Sequence, residues 1–280
     1  MVTVSGCIPS AICPEADSRG FMFNYLNKHR IFFLLLSIIV AIFVWELLIW
    51  VWRFPAFILP GPGEVVSRFG RAVADGSLIR HSLITLLEVL AGLLIGSTLA
   101  TLIGYLLAKS PAAERFLSPY LVASQAIPLV AVAPLLIIWF GPGLFSKILI
   151  CSLTVFFPIL VNTIVGLRAV PDNLRDLMRS LRATRGEILR KLEIPAALPV
   201  FLGGLRVGAT LSVIGAVVGE FVGSDRGLGF LINVGRGQYD TALVFAAIFT
   251  LIFMALILYG GVVLAEKRLL RWQHYAKREI

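Results

Sequence analysis

Six long apolar runs divide this chain, at about residues 31–52, 82–108, 117–140, 144–168, 198–222 and 241–264. Each can supply the roughly 20-residue helix needed to cross a hydrocarbon layer about 30 Å thick. Within such a layer the backbone must satisfy its own hydrogen bonds, which leaves helices or closed barrels, and runs of this length suit only helices. The spacing predicts an all-α, polytopic membrane protein with six transmembrane helices. Composition agrees, since 58% of the 280 residues are hydrophobic, 15% are charged, and the charges gather between the runs.

A net charge of +9 raises the question of nucleic acid, and the placement of the charges answers it. With the N-terminus on the cytoplasmic side, 17 Lys and Arg residues fall in cytoplasmic segments, 6 outside, and 2, Lys147 and Arg206, within spans. The positive-inside rule selects this orientation and puts both termini in the cytoplasm. The basic excess follows from topology, and no nucleic-acid partner is expected. Cys7, Cys13 and Cys151 have no metal or disulfide spacing. The chain contains no Gly-x4-Gly-Lys-Ser/Thr phosphate loop, so its energy must come from a partner or a gradient.

Residues 1–30 read as a cytoplasmic tail with no cleavable leader pattern, 31–266 as the six-span domain, and 267–280 as a basic cytoplasmic tail at the anionic inner surface. After the first span, Val65, Val66, Phe69 and Val73 lie at helical spacing and predict an interfacial amphipathic helix on the outer side. The second span has Gly92, Gly96 and Gly104, which allow close backbone approach. Glu46 in the first span and Glu88 in the second read as structural hydrogen-bonding groups.

The third span contains Pro119, Pro128 and Pro134. Freed carbonyls at membrane depth are tolerated only against protein or a watery path. This span is therefore either a kinked packing helix or a wall of a translocation path, with Ser124, Gln125 and Pro128 as path-facing elements. In the fourth span Lys147 lies near enough to the outer end to snorkel, and Asn162 either bonds a neighbouring helix or faces the path. The fifth span is rich in glycine, with Gly203, Gly204, Gly208, Gly215, Gly219 and Gly223, which suits a central helix meeting its own bundle or a second copy. Its Arg206 lies about 12 Å in from the cytoplasmic end and needs a partner or a wet cavity. Its Glu220 holds an outer gate or touches solute. Asp225, Arg226 and Gly227-Leu228-Gly229 then open an outer loop through Asn233 and Asp240.

Between the fourth and fifth spans lies a charged island, residues 170–199. Leu174, Leu177, Met178 and Leu181 fall at i, i+3, i+4 and i+7, with Arg175, Arg179 and Arg182 on another face. Asp172 follows Pro171 as a helix start, and Thr184 with Glu187 has capping-box spacing. The result is a short helix, a turn near Arg182 and Ala183, and a second helix to about Leu192. An apolar stripe on a charged island has the character of a docking surface.

This island resembles the cytoplasmic loop of membrane subunits of ATP-binding-cassette importers, whose pattern is Glu-Ala-Ala, three residues, Gly, nine residues, Ile, one residue, Leu-Pro. It falls here on Asp176, Leu177 and Met178, then Arg182, then Leu192, then Ile194 and Pro195. Arg182 stands at the turn glycine's place. A non-glycine residue at positive φ costs about 1 kcal/mol, so either Arg182 bears that strain or the turn is built differently. Residues 124–150 and 215–232 are similar to segments of the nitrate, sulfonate and taurine branch, which also includes pyrimidine-precursor and riboflavin permeases.

The resemblance implies a type I importer-like permease without catalytic or metal-binding residues, in the cell inner membrane. ATP would be bound by partner ATPase subunits, which dock on Asp176, Leu177, Met178, Ser180, Leu181, Arg182, Ala183, Thr184, Gly186 and Pro195. A solute-binding protein outside and a second permease copy, as a homodimer, complete the assembly. The path residues would be Ser124, Gln125, Pro128, Asn162 and Glu220. The cargo would be a nitrate-, sulfonate- or taurine-like anion, or a heterocyclic vitamin or precursor such as a thiamine pyrimidine or riboflavin, the group toward which the wording of Gly219-Glu220-Phe221-Val222-Gly223 leans. The rival reading is an ion- or proton-coupled secondary transporter, which requires an unpaired mid-membrane acid, with Glu46 and Glu88 as candidates, and an inverted repeat, of which the sequence gives no sign.

Overall fold

The computed structural model describes residues 18–271, and every regular element among them is helical. The expected tails at 1–17, with Cys7 and Cys13, and at 272–280 lie outside the described residues. Helix α1 (Ser18–Trp52) belongs to a separate unit that ends at Pro55. It begins ahead of the apolar run at residue 31, and Leu35–Trp52 is its membrane-crossing stretch.

The second unit begins at Ala56. It contains α2 (Pro62–Ala74), α3 (Ser77–Lys109), α4 (Pro111–Gln125), α5 (Leu129–Phe140), α6 (Leu144–Arg168), α7 (Asp172–Ser180), α8 (Arg185–Ile188), a π-helical segment (Leu189–Glu193), α9 (Ile194–Gly223), α10 (Leu228–Gly237) and α11 (Thr241–Leu269). Counting α1, five of the described helices are long and apolar enough to cross a membrane, and the bent α4–α5 pair makes six spans.

At the centre, α6 lies between α3 and α9. Small residues set both interfaces. A Cβ on Gly96 of α3 would stand 2.6 Å from the Ser152 carbonyl oxygen, and one on Gly204 of α9 would stand 2.7 Å from Cβ of Asn162. Backbones this close replace the hydrophobic effect, which does not act between helices in lipid, with dense van der Waals contact. Gly204, Gly208, Gly215 and Gly219 of α9 thus serve the chain's own bundle. Ile150, Val155, Ile159 and Leu160 of α6 are fully buried between the two partners.

The third apolar run does not form one kinked helix. Its halves, α4 and α5, meet at 94°. Pro128 is the reason: it takes an extended conformation as N-cap of α5, and its ring disfavours helical geometry at Ile127. α5 packs on α6 and α9, whereas α4 buries no residue.

The expected interfacial helix forms as α2, but its apolar residues divide. Val65 and Ala72 face the protein, while Val66, Phe69 and Val73 are exposed. Arg68 Nε donates to Asp240 Oδ2 at 2.7 Å and so fixes α2 against the start of α11. The loop expected through Asn233 is instead helix α10, which buries Leu228, Leu231 and Ile232. Those residues recur at i, i+3 and i+4, so a core-facing stripe overrides the loop-like polar residues around them.

Candidate functional site

Three places in the second unit hold the candidate side chains: the island, the break between α4 and α5, and the end of the bundle opposite the island. At the island, α7 ends in a Schellman motif, with Ala183 N–H donating to Met178 O at 3.0 Å and Arg182 N–H to Arg179 O at 2.9 Å. Arg182 occupies the left-handed position at φ 58°, so the arginine bears the strain of the glycine turn. Thr184 opens α8 with a capping box: its N–H donates to Glu187 Oε2 at 2.9 Å, and Glu187 N–H donates to Thr184 Oγ1 at 3.3 Å. Hydrogen bonds from the Thr184 backbone N–H, then its hydroxyl, then Lys191 hold the Glu187 carboxyl down at about 2.

Leu177 is 54% and Leu181 70% exposed, beside Asp176, Ser180, Arg182, Thr184 and Gly186, which are also exposed. Met178 and Ala183 are half-buried beneath the turn. Pro195 is likewise half-buried, in the first turn of α9. The second helix also continues into α9 rather than ending near Leu192. A proline cannot donate to the carbonyl four residues back and crowds it, and the π-helical turn at Leu189–Glu193 widens the helix there.

At the α4–α5 break, Ser124 and Gln125 share a cavity of about 380 Å³ with Thr154, Phe157 and Pro158 of α6 and Leu211 of α9. Pro128 forms the corner itself. None of the side chains lining this cavity is charged. Sequence reading missed Thr154, Phe157 and Leu211. The i, i+3, i+4 spacing of Thr154, Phe157 and Pro158 was the available signal. Asn162 is a correction: it donates to Pro158 O of its own helix at 2.8 Å and packs against Gly204, at the α6–α9 crossing.

Glu220 is also a correction as a path residue. It is fully buried opposite the island, where Oε1 accepts from Thr85 Oγ1 at 2.7 Å and Oε2 accepts from Gly229 N–H at 2.5 Å. Thr85 Oγ1 in turn accepts the Leu228 N–H at 2.8 Å, and His81 Nδ1 accepts the Gly227 N–H at 2.9 Å. The segment between α9 and α10 is thereby latched to α3. Lys147 does not snorkel: it is buried, donates to Ser224 Oγ at 2.5 Å and lies 3.4 Å from Glu88 Oε1. The buried Lys147 ammonium is thus the cation beside the buried Glu88 carboxyl of α3. Arg206 likewise has its partner, the Glu266 carboxylate of α11.

Residues 92–271 match the family described as the binding-protein-dependent transport system inner membrane component. The chain belongs to this family. Across 237 residues it is 45% identical to the riboflavin transport system permease protein of Chloroflexus aurantiacus, covering 85% of this chain and 88% of that one. It is 35% identical to the formylaminopyrimidine transport permease protein of Halalkalibacterium halodurans, over 87% of this chain and 94% of that one. In fold it is similar to a solved chain of the MetNI methionine ABC transporter in an inward facing conformation, with a TM-score of 0.60 at 20% identity, covering 70% of this chain and 97% of that chain.

As a member of the binding-protein-dependent family, the chain is a membrane permease subunit of an ABC importer. In this permease α7, the Arg182 turn and α8 stand at one end of the bundle. The latch around Glu220 closes the other end. The broken span α4–α5, with its uncharged cavity, lies along the length between them.

Proposed function

We propose that this permease carries a small, uncharged heterocyclic solute inward, as a homodimer driven by cytoplasmic ATPase subunits that bind ATP. The island end faces the cytoplasm, with both termini on that side, and the latched end faces the solute-binding protein outside. The chain does no covalent chemistry.

The exposed leucines of α7 carry the docking part of this reading. Leu177 stands on the nine-residue helix α7 and Leu181 caps its C-terminal end, outside the spans and among arginines, where neither lipid nor the bundle covers them. An apolar patch with a charged rim is a protein-docking surface. Asp176, Ser180, Arg182, Thr184 and Gly186 form its surround, and Met178 and Ala183 its support.

Charge placement bears on the solute. The two cations within the spans, Lys147 and Arg206, are engaged by Glu88, Ser224 and Glu266. The cavity at the span break offers Phe157 for stacking and Ser124, Gln125 and Thr154 for hydrogen bonds, but no countercharge. A sulfonate desolvated there would lack a partner, whereas a flavin- or pyrimidine-like ring would not. The riboflavin and formylaminopyrimidine relatives carry cargo of that class by name.

The test is reconstitution of the permease with its ATPases in liposomes, with binding protein loaded with riboflavin, a pyrimidine or taurine. Uptake of a ring compound, and loss of ATPase co-purification in a Leu177→Asp, Leu181→Asp variant, are expected. Taurine uptake without ring uptake overturns the solute class, and full co-purification of the variant overturns the docking surface.

A further inference from the structure

The corner between α3 and α4 is held electrostatically at two points, one on the island and one at the end of α6. Lys109, the last residue of α3, donates through Nζ to Glu193 Oε1 at 2.7 Å and Oε2 at 2.6 Å. Glu114, in the first turn of α4, is ion-paired with Arg168, the last residue of α6. Glu193 is only 2% exposed, although it ends a π-helical turn in a charged segment.

Arg175 of α7 converges on the same carboxylate. Its Nε lies 3.4 Å from Glu193 Oε1, its Nη2 donates to Leu167 O at 2.8 Å, and its Nη1 donates to Asp172 Oδ1 at 2.9 Å. Glu193 therefore joins one cation from the docking helix to one from the α3–α4 corner. These links bridge an open cleft of about 770 Å³ rather than a packed interface. No residue of α4 is fully buried, although Ala113 and Leu121 pack partly buried against core residues of α3 and α6, so the ion pairs add to a thin apolar contact.

We propose that Glu193 is a positioning residue for transport, the linkage that carries displacement of the docked helix α7 through Arg175 and Lys109 to the α3–α4 corner, and so to the broken span. The inference rests on the ATPase-docking reading above. A π-helical turn suits the role, because such bulges sit where a helix is locally strained and its side chains can be re-aimed. A nearly buried carboxylate held by cations from two separate elements cannot follow one of them without drawing on the other. The linkage differs from the docking surface in that no atom of Glu193 needs to touch the ATPase.

The experiment uses the complete complex of permease, ATPases and loaded binding protein in liposomes, measuring assembly, ATP hydrolysis and solute imported per ATP. Glu193→Gln and Lys109→Gln are expected to assemble and to hydrolyse ATP at the basal wild-type rate. Solute imported per ATP is expected to fall about tenfold, within the range of ordinary site-to-site coupling. Lys109→Arg, which restores a cation, should keep the wild-type ratio, and the Lys109→Gln, Glu193→Gln double variant should be no worse than either single one. The proposal is overturned if Glu193→Gln imports as much solute per ATP as wild type, or if hydrolysis and import fall together with the ratio unchanged. If the wild-type permease fails to associate with its ATPases, the docking reading fails instead.

Discussion

Glu220 accepts the backbone N–H of Gly229, nine residues onward, at 2.5 Å, and thereby folds the end of α9 back over the start of α10. Its other oxygen takes the Thr85 hydroxyl from α3, so one carboxylate closes the junction of three helices. Replacing it by Gln presents an amide N–H₂ to one of two donors. Leaving a buried donor unmatched is expected to cost about 2 kcal/mol, read as a lower unfolding temperature in detergent. Asp225 and Arg226 should also become more mobile, and trypsin should cut after Arg226 faster than in the wild-type protein.

Gly227 adopts φ 105°, and a Cβ there would collide with the Glu220 carboxyl. Gly203, in α9, has open space where its Cβ would stand. Gly227→Ala is expected to destabilise by more than about 1 kcal/mol, from backbone strain alone. Gly203→Ala should stabilise by up to about 1 kcal/mol, because it removes unfolded-state freedom from a helix interior. Thermal unfolding of the two variants side by side distinguishes local geometry from a general intolerance of added methyl groups.

At the Arg182 turn, Arg182→Gly relieves the left-handed strain and is expected to stabilise the α7–α8 segment by about 1 kcal/mol. Hydrogen exchange at Ala183, whose N–H closes the turn on Met178, should slow correspondingly. ATPase co-purification should persist, since Leu177 and Leu181 are untouched.

For Glu187 the sign of the pH dependence follows from a carboxyl held at about 2 against an ordinary 4.5. A lowered pKa means that the capping bond is complete above about 4.5 and is lost as pH falls toward 2. Protection of the Thr184 amide should therefore decline over that acid interval and stay constant above it. Glu187→Gln should abolish this pH dependence.

Local chemistry was legible in the sequence, and distant pairing was not. The Thr184–Glu187 box lies within one turn, and the Arg182 turn follows from the spacing between two short helical patterns. Span positions follow from apolar length alone. Lys147 was misread because its partners, Glu88 and Ser224, sit on other elements far along the chain, and nothing near residue 147 announces them. Glu220 and Asn162 have the polarity of path residues, but polarity does not tell whether a group faces a cavity or a neighbouring backbone. The α4–α5 corner was half legible: the prolines marked a distortion, while its 94° angle depends on how α5 lies against α6 and α9.

Arg185–Gly223 runs as one unbroken helical rod of 39 residues, with Glu193 toward one end and Glu220 toward the other. With 3.6 residues per turn, adding or removing one residue between them rotates everything beyond by about 100°. Either Glu220 would swing away from Thr85 and Gly229, or Glu193 away from Lys109 and Arg175. The length of this segment is thus fixed by angular phase: a substitution between the two carboxylates leaves both junctions aimed, whereas a single insertion or deletion there does not.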